Sequence, residues 1–221
     1  MRVAYPPSAN SATPRPGKIL GVGRNYREHA AELNNAVPTE PLLFFKPPSA
    51  IVPSGAPIVR PRPASGDWRV DFEGELGVVI GKRCRRVSKK DAMSYVAGYT
   101  IVNDVTVRDL QKKDGQFTRA KGFDSFCPCG PFLVDDIDPT QLHIVTRLDG
   151  VVKQDGWTRD MIFDIPTIIE VASRVMTLEP GDLISTGTPS GVAPILPGMT
   201  VEITIEGIGT LVNSVVEESE S

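Results

Sequence analysis

The chain is poor in cysteine, histidine and aromatic residues, and it has no long apolar run. Its 221 residues include three cysteines, two histidines and 6% aromatic residues. An odd cysteine count in a chain of ordinary size argues against a disulfide framework. The C-P-C at 127–129 lacks the C-x-x-C spacing of a zinc half-site, and there is no second pair. Cys84, Cys127 and Cys129 therefore read as structural thiols in a reducing compartment. No segment resembles a signal peptide, and no apolar run reaches about 18 residues, so the expected location is cytoplasmic with no membrane partner. A formal net charge of −3 argues against nucleic acid as the main partner. The densest basic run, "GKRCRRVSKK" (81–90), has no interleaved aromatics and reads as a solvated loop leading into a helix.

What is present describes a globular chain with a sizeable core: 40% hydrophobic and 23% charged residues. Twenty prolines and twenty glycines point to many turns rather than a helical bundle. Residues 1–17 read as a flexible, proline-rich lead-in, and 217–221 as a frayed, disordered tail. Strands are expected at 18–23, 41–46, 96–106, 130–134, 142–148, 151–154, 183–187, 200–206 and 209–217, with a hairpin turn at Asp149-Gly150. The proline-rich segment 47–67 reads as an extended loop. Three helices are expected: about 26–34, a short one at 89–95 with Ser88 and Asp91 as a capping box, and 165–176 with Asp164 as N-cap and Pro166 in its first turn. The fold class is mainly β with a few short helices, and no internal repeat is visible.

The segment "VDFEGELGVVIG" (70–81) carries the first chemical signal. Strand side chains alternate, so Asp71, Glu73 and Glu75 share one face while Val70, Phe72, Leu76 and Val78 take the other. Such a face is either a solvated polar edge or a carboxylate cluster whose mutual repulsion a hard cation relieves. Asp104 ends the 96–106 strand and joins Glu73 and Glu75 if the two strands are neighbours; taken alone, it reads as a helix N-cap. Two Glu and one Asp suit octahedral Mg²⁺ or Mn²⁺. Asp71, at the wetter start of the strand, is expected to face solvent or lie behind the ligands.

Of the two histidines, His143 sits among apolar strand residues and reads as structural. His29, in "GRNYREHAAE", has Glu32 three residues on, on the same helical face. A carboxylate beside imidazole orients it and raises its basicity, as a general base requires, although the same pair is also an ordinary surface feature. Other signals fail. "GVGRNY" has Tyr26 where a dinucleotide fingerprint needs its third glycine. "GTPSG" (187–191) has Pro where a hydrolase elbow needs Ser; its Thr188 hydroxyl and backbone amides remain candidates for binding a carboxylate. Lys121 is a lone lysine that reads as solvated unless a ligand carboxylate lies nearby.

Seven stretches in order, "GRNYREHAAE", "FFKP", "DFEGELGVVIG", "GYTIVNDVTVRDLQ", "AKGFDSFCPCGP", "TLEPGDLISTGTPSGV" and "IEGIGTLVNSV", resemble the fumarylacetoacetate hydrolase family from about Lys18 to Val216. The chain looks closest to the short members, the acylpyruvases and oxaloacetate decarboxylases. The resemblance implies one catalytic domain over 18–216, a mixed β-sandwich roll enclosing Mg²⁺ or Mn²⁺, and a homodimer. It places the metal ligands at Glu73, Glu75 and Asp104, the active-site lysine at Lys121, and the His–Glu pair of a lid helix at His29 and Glu32. Substrate contacts fall on Lys46, Gln111 and Thr188, and also on Arg24 and Tyr26. Neither the N-terminal domain of the full-length hydrolases nor the duplicated domain of the bifunctional decarboxylase-isomerases is present in this sequence.

The activity implied is cleavage of a C–C bond in a small 2-oxo or 2-enol acid, either an acylpyruvate or a dicarboxylate such as oxaloacetate. Stabilising the pyruvate enolate that leaves is the main catalytic task. His29 activates water, and Gly21 and Gly23 are candidate hinges for its helix. Two other readings stand beside this one: an isomerase of hydroxymuconate-type acids in aromatic catabolism, and a silent binding protein that kept the fold.

Overall fold

A computed structural model describes residues 1–7 and 15–219. The protein is mostly β, with four short α-helices among the described residues. The larger sheet has eight strands. Seven run in the spatial order Arg2–Ala4, Cys127–Val134, Val96–Asn103, Gly74–Ile80, Leu183–Ser185, Ile19–Gly23 and Leu42–Lys46. Ile51–Pro53 pairs parallel with the start of Cys127–Val134. A second sheet has the order Val151–Trp157, His143–Leu148, Thr200–Ile205, Gly209–Glu217 and Ile58–Arg60. The sheets mix parallel and antiparallel pairings.

The two sheets share one apolar core. Leu76, Val78 and Ile101 of the larger sheet and Ile144, Ile203 and Leu211 of the smaller one belong to a single buried cluster. In the smaller sheet the alternation is plain: Thr200–Ile205 alternates between half-buried and buried residues, as a sheet with one wet face requires. Gly74–Ile80 is different, because every residue in it is buried. It lies mid-sheet, with the second sheet against one face, so Glu75 does not sit on a solvated edge. The solvated-edge reading of 70–81 therefore fails.

Several sequence expectations need correction. The lead-in is anchored at its start: Arg2–Ala4 pairs with Phe132–Val134, and Tyr5 is buried. The part of that lead-in at 8–14 lies outside the described residues, as do 220–221 of the expected tail. Glu217 still belongs to a strand, and Glu218 N donates to Arg60 O at 3.0 Å. The proline-rich segment contributes the strands Ile51–Pro53 and Ile58–Arg60. The helix expected at 89–95 shrinks to a 3-10 turn at Ala92–Tyr95, because Ser88 Oγ bonds the Asp91 carboxylate instead of a backbone N–H. The basic run 81–90 is partly a clasp. Arg85 donates to the carbonyls of Ser173 and Arg174 near the end of the helix Ile165–Val175, a favourable place for a cation. That helix starts as expected, with the Asp164 carboxylate accepting from Thr167 N at 3.0 Å.

Candidate active site

Adjacent strands bring the three carboxylates together. Gly74 pairs with Asn103, and Glu75 with Val102, in the antiparallel ladder between Gly74–Ile80 and Val96–Asn103. Asp104 follows that strand, and its N–H donates to Glu73 O at 2.8 Å. Asn103 Oδ1 accepts from Glu73 N at 3.0 Å. One oxygen from each of Glu73, Glu75 and Asp104 falls within 4.8 Å of the others, and all three residues are buried. The helix-cap reading of Asp104 drops out, because the helix Arg108–Asp114 begins four residues later with Val107 at its N-cap.

The surroundings supply counter-charge. Lys121 Nζ donates to Glu73 Oε2 at 2.8 Å, to Asp104 Oδ2, and to Thr106 Oγ1 at 2.8 Å. All three of its hydrogens are thereby engaged. Lys46 Nζ holds the other oxygen of Asp104 at 2.6 Å. Arg108 was not identified from the sequence. Its Nη2 reaches Glu73 Oε1 at 2.6 Å, its Nε reaches Asp71 Oδ2 at 2.8 Å, and its Nη1 reaches Gln111 Oε1 at 3.0 Å. Asp71 is fully buried rather than wet, and also binds Arg69. It lies behind the triad and holds the arginine that holds Glu73.

The three acids differ electrostatically. Burial alone would raise Glu73, but the positive charges of Lys121 and Arg108 outweigh it and hold its carboxyl far below the ordinary range. Burial, with Asp104 and Glu73 beside it, pushes Glu75 well above that range. Glu75 Oε2 accepts from Ser185 Oγ at 2.5 Å and Gly187 N at 2.7 Å, and Oε1 accepts no hydrogen bond among the described residues. A buried carboxylate disfavoured by two neighbouring anions, with a free oxygen, is the environment a hard cation stabilises. The donor set fits Mg²⁺ or Mn²⁺.

His29 lies on the helix Arg27–Glu32 at the edge of this cluster. Asn25 fixes the start of the helix: its amide donates to Phe163 O and Thr186 O and accepts from Phe163 N. His29 is buried; its Nδ1 is 3.3 Å from Glu32 Oε2, and its Nε2 is 3.9 Å from Glu73 Oε1. Burial lowers its pKa, Glu73 and Glu32 oppose that, and Arg108 adds to it; the net direction is down. The neutral imidazole is favoured, the form able to take a proton. Glu32 also accepts from Gly191 N at 3.2 Å, and Ser190 Oγ donates to Glu28 at 3.0 Å, so helix and loop are latched. Gly21 is not a hinge. It sits inside a strand, and a Cβ there would lie 2.0 Å from the Phe44 ring.

A cavity of about 560 Å³ opens over the triad, lined by His29 and Lys121 and, among the expected substrate contacts, by Arg24, Gln111 and Thr188. The other two expected contacts do not line it. Lys46 is committed to Asp104 and Val105 O behind the triad. Tyr26 is buried at the N-cap of the His29 helix, bridged to Met161, and its hydroxyl has no hydrogen-bond partner among the described residues. His143 is structural, stacked on Trp157 and 2.5 Å from Asp155.

The family model of the fumarylacetoacetate (FAA) hydrolase C-terminal domain matches residues 18–216. The chain belongs to this family. It is 46% identical over 200 residues to the mitochondrial oxaloacetate decarboxylase of Dictyostelium discoideum, an alignment covering 87% of this chain and 90% of the relative. A 2-hydroxyhepta-2,4-diene-1,7-dioate isomerase from Mycobacterium marinum superposes with TM-score 0.85 at 51% identity, covering 94% of this chain and 78% of that one. A maleylpyruvate hydrolase from Sphingobium sp. SYK-6, solved with manganese(II) and pyruvate, superposes with TM-score 0.80 at 37% identity, covering 93% of this chain and 72% of that one. No helix among the described residues is long and apolar enough to cross a membrane.

Proposed function

We propose that this chain is a divalent-metal-dependent hydrolase or lyase that cleaves a C–C bond in acylpyruvate-type 2,4-diketo acids or decarboxylates oxaloacetate. Glu73, Glu75 and Asp104 would hold Mg²⁺ or Mn²⁺, which supplies electrophilic stabilisation of a developing enolate. Lys121 and Arg108 fix two of the three carboxylates in place. Gln111 and Arg24 line the space a substrate would fill. His29, held at Nδ1 by Glu32, keeps Nε2 free to take a proton from water attacking the distal carbonyl. With oxaloacetate no water attack is needed, and the same cluster suffices. A homodimer is the assembly this reading expects.

The observation that carries the proposal is buried His29, paired with the partly exposed Glu32 and set against the carboxylate cluster with Nε2 3.9 Å from Glu73. The manganese- and pyruvate-bound hydrolase neighbour supports both metal and head group. The test is substrate-selective. His29→Ala is expected to lose acylpyruvate hydrolysis by about 10²–10⁴-fold and oxaloacetate decarboxylation far less; equal losses in a folded variant contradict a water-activating base. The isomerase neighbour favours a second reading, in which the same pair only moves a proton along a dienol acid. Rearrangement of such an acid without cleavage of any acylpyruvate decides for it.

A further inference from the structure

Gln154 occupies an unusual place. It belongs to the second sheet, on the strand Val151–Trp157, yet its fully buried amide reaches the backbone of Gly74, the residue between Glu73 and Glu75. Its Oε1 accepts from Gly74 N at 3.0 Å, while its Nε2 donates to Pro189 O at 2.8 Å and Thr188 Oγ1 at 2.7 Å. The orientation of this amide is forced. One end meets a backbone N–H, which only donates, and the other a carbonyl, which only accepts. Thr188 Oγ1 therefore receives a hydrogen bond from Gln154. Its own hydrogen goes to Gly74 O at 2.9 Å. One acceptor position is all that Thr188 has left, and Thr188 lines the cavity.

We infer that Gln154 is a positioning residue that sets Thr188 as a hydrogen-bond acceptor toward the ligand, so that Thr188 recognises a 2-hydroxyl, the enol form of the substrate head, and gives no hydrogen bond to its carboxylate. The inference rests on the proposed function, in that a 2-oxo or 2-enol acid fills this cavity. It reverses the sequence expectation that the Thr188 hydroxyl binds a carboxylate. For Thr188 to donate to an anion, Gly74 O would have to give up its bond in a buried setting, where an unpaired carbonyl is unfavourable.

Two small acids separate the alternatives: glycolate carries a 2-hydroxyl hydrogen, and oxalate has none. Their affinities are measured calorimetrically with the whole chain in saturating Mg²⁺, with thermal unfolding as a check on folding. Thr188→Val is expected to weaken glycolate about five- to tenfold, the worth of one hydrogen bond, and to leave oxalate within about twofold; Thr188→Ser restores glycolate binding. Gln154→Glu keeps the shape, but its carboxylate takes the Thr188 hydrogen and leaves Thr188 Oγ1 against Gly74 O with no hydrogen between them. That repulsion displaces Oγ1 from its place at the ligand and is expected to reproduce the selective loss. A merely structural Gln154 lowers the melting temperature without changing the glycolate-to-oxalate ratio. Equal losses for both acids in Thr188→Val, or no loss for either, overturn the inference. Wild-type protein that binds neither acid in Mg²⁺ contradicts the proposed function itself, and the inference falls with it.

Discussion

The carboxylate cluster and the His29 helix meet at one cavity but are built in opposite ways. The cluster is rooted in the middle of the larger sheet, fully buried, and each of its acids is held by at least two short hydrogen bonds. The histidine rides on a six-residue helix with no side-chain cap. Its partner Glu32 is partly exposed and held only by contacts of 3.2–3.3 Å. A helix that short has little stability of its own and depends on Asn25 and the latched loop. The carboxylate end is over-determined and the histidine end is lightly held. Perturbing the first should remove binding and stability together, whereas perturbing the second should change chemistry and leave the fold intact.

Within the cluster the sharpest contrast is between Glu73 and Glu75. The depressed pKa of Glu73 stabilises the fold above its unfolded value, a contribution lost as pH falls through the folded value. The raised pKa of Glu75 works in reverse: its contribution is present below the unfolded value and lost as pH rises through the folded one. Glu73→Gln is therefore expected to lower metal-free stability at neutral pH by about 3–5 kcal/mol, since Lys121 and Arg108 lose their anion. Glu75→Gln should leave it unchanged or raised. Both should abolish Mg²⁺ binding and metal-dependent turnover. Urea denaturation in chelator, paired with Mg²⁺ calorimetry, reads both effects; equal destabilisation by the two variants would break the contrast.

At the base end, His29→Ala should keep Mg²⁺ affinity within about twofold while losing hydrolysis as above. A parallel loss of metal affinity would show that the two regions are not separable. Gly74 joins the cluster to the second sheet. A Cβ there lies 2.3 Å from Thr146 Oγ1 and 3.0 Å from Gln154 Oε1. Gly74→Ala is expected to destabilise by about 1–3 kcal/mol, measured by thermal unfolding. The smallest effect is the most directional. Glu32 raises the His29 pKa, so Glu32→Gln should move the acid limb of kcat/KM to lower pH, with roughly tenfold lower activity. A shift to higher pH would contradict the assignment of that limb to His29.

Much of this was legible in the sequence where one residue type recurs at a local period. Alternation marked Thr200–Ile205 and Gly209–Glu217, Asp164 and Pro166 marked a helix start, and the E-x-E spacing marked two of the three acids. What stayed hidden depends on distant partners. Arg108 looks like any arginine until Asp71 and Glu73, 37 and 35 residues earlier, fold against it. Gln154 follows exposed strand residues, and nothing local shows that its amide crosses to the other sheet. Prolines concealed Ile51–Pro53 and Ile58–Arg60, each three residues long and paired parallel to a distant strand. The resemblance puts Lys46 and Tyr26 among the substrate contacts, but a match along the chain does not show which face of the carboxylate cluster a side chain reaches.

The most direct test of the central claim is product identification after incubating the protein and Mg²⁺ with a small acylpyruvate, with and without chelator. The account predicts pyruvate plus the free acid in equal amounts, formed only when metal is present. Intact acylpyruvate under both conditions, with a dienol acid rearranged in the same assay, would contradict it.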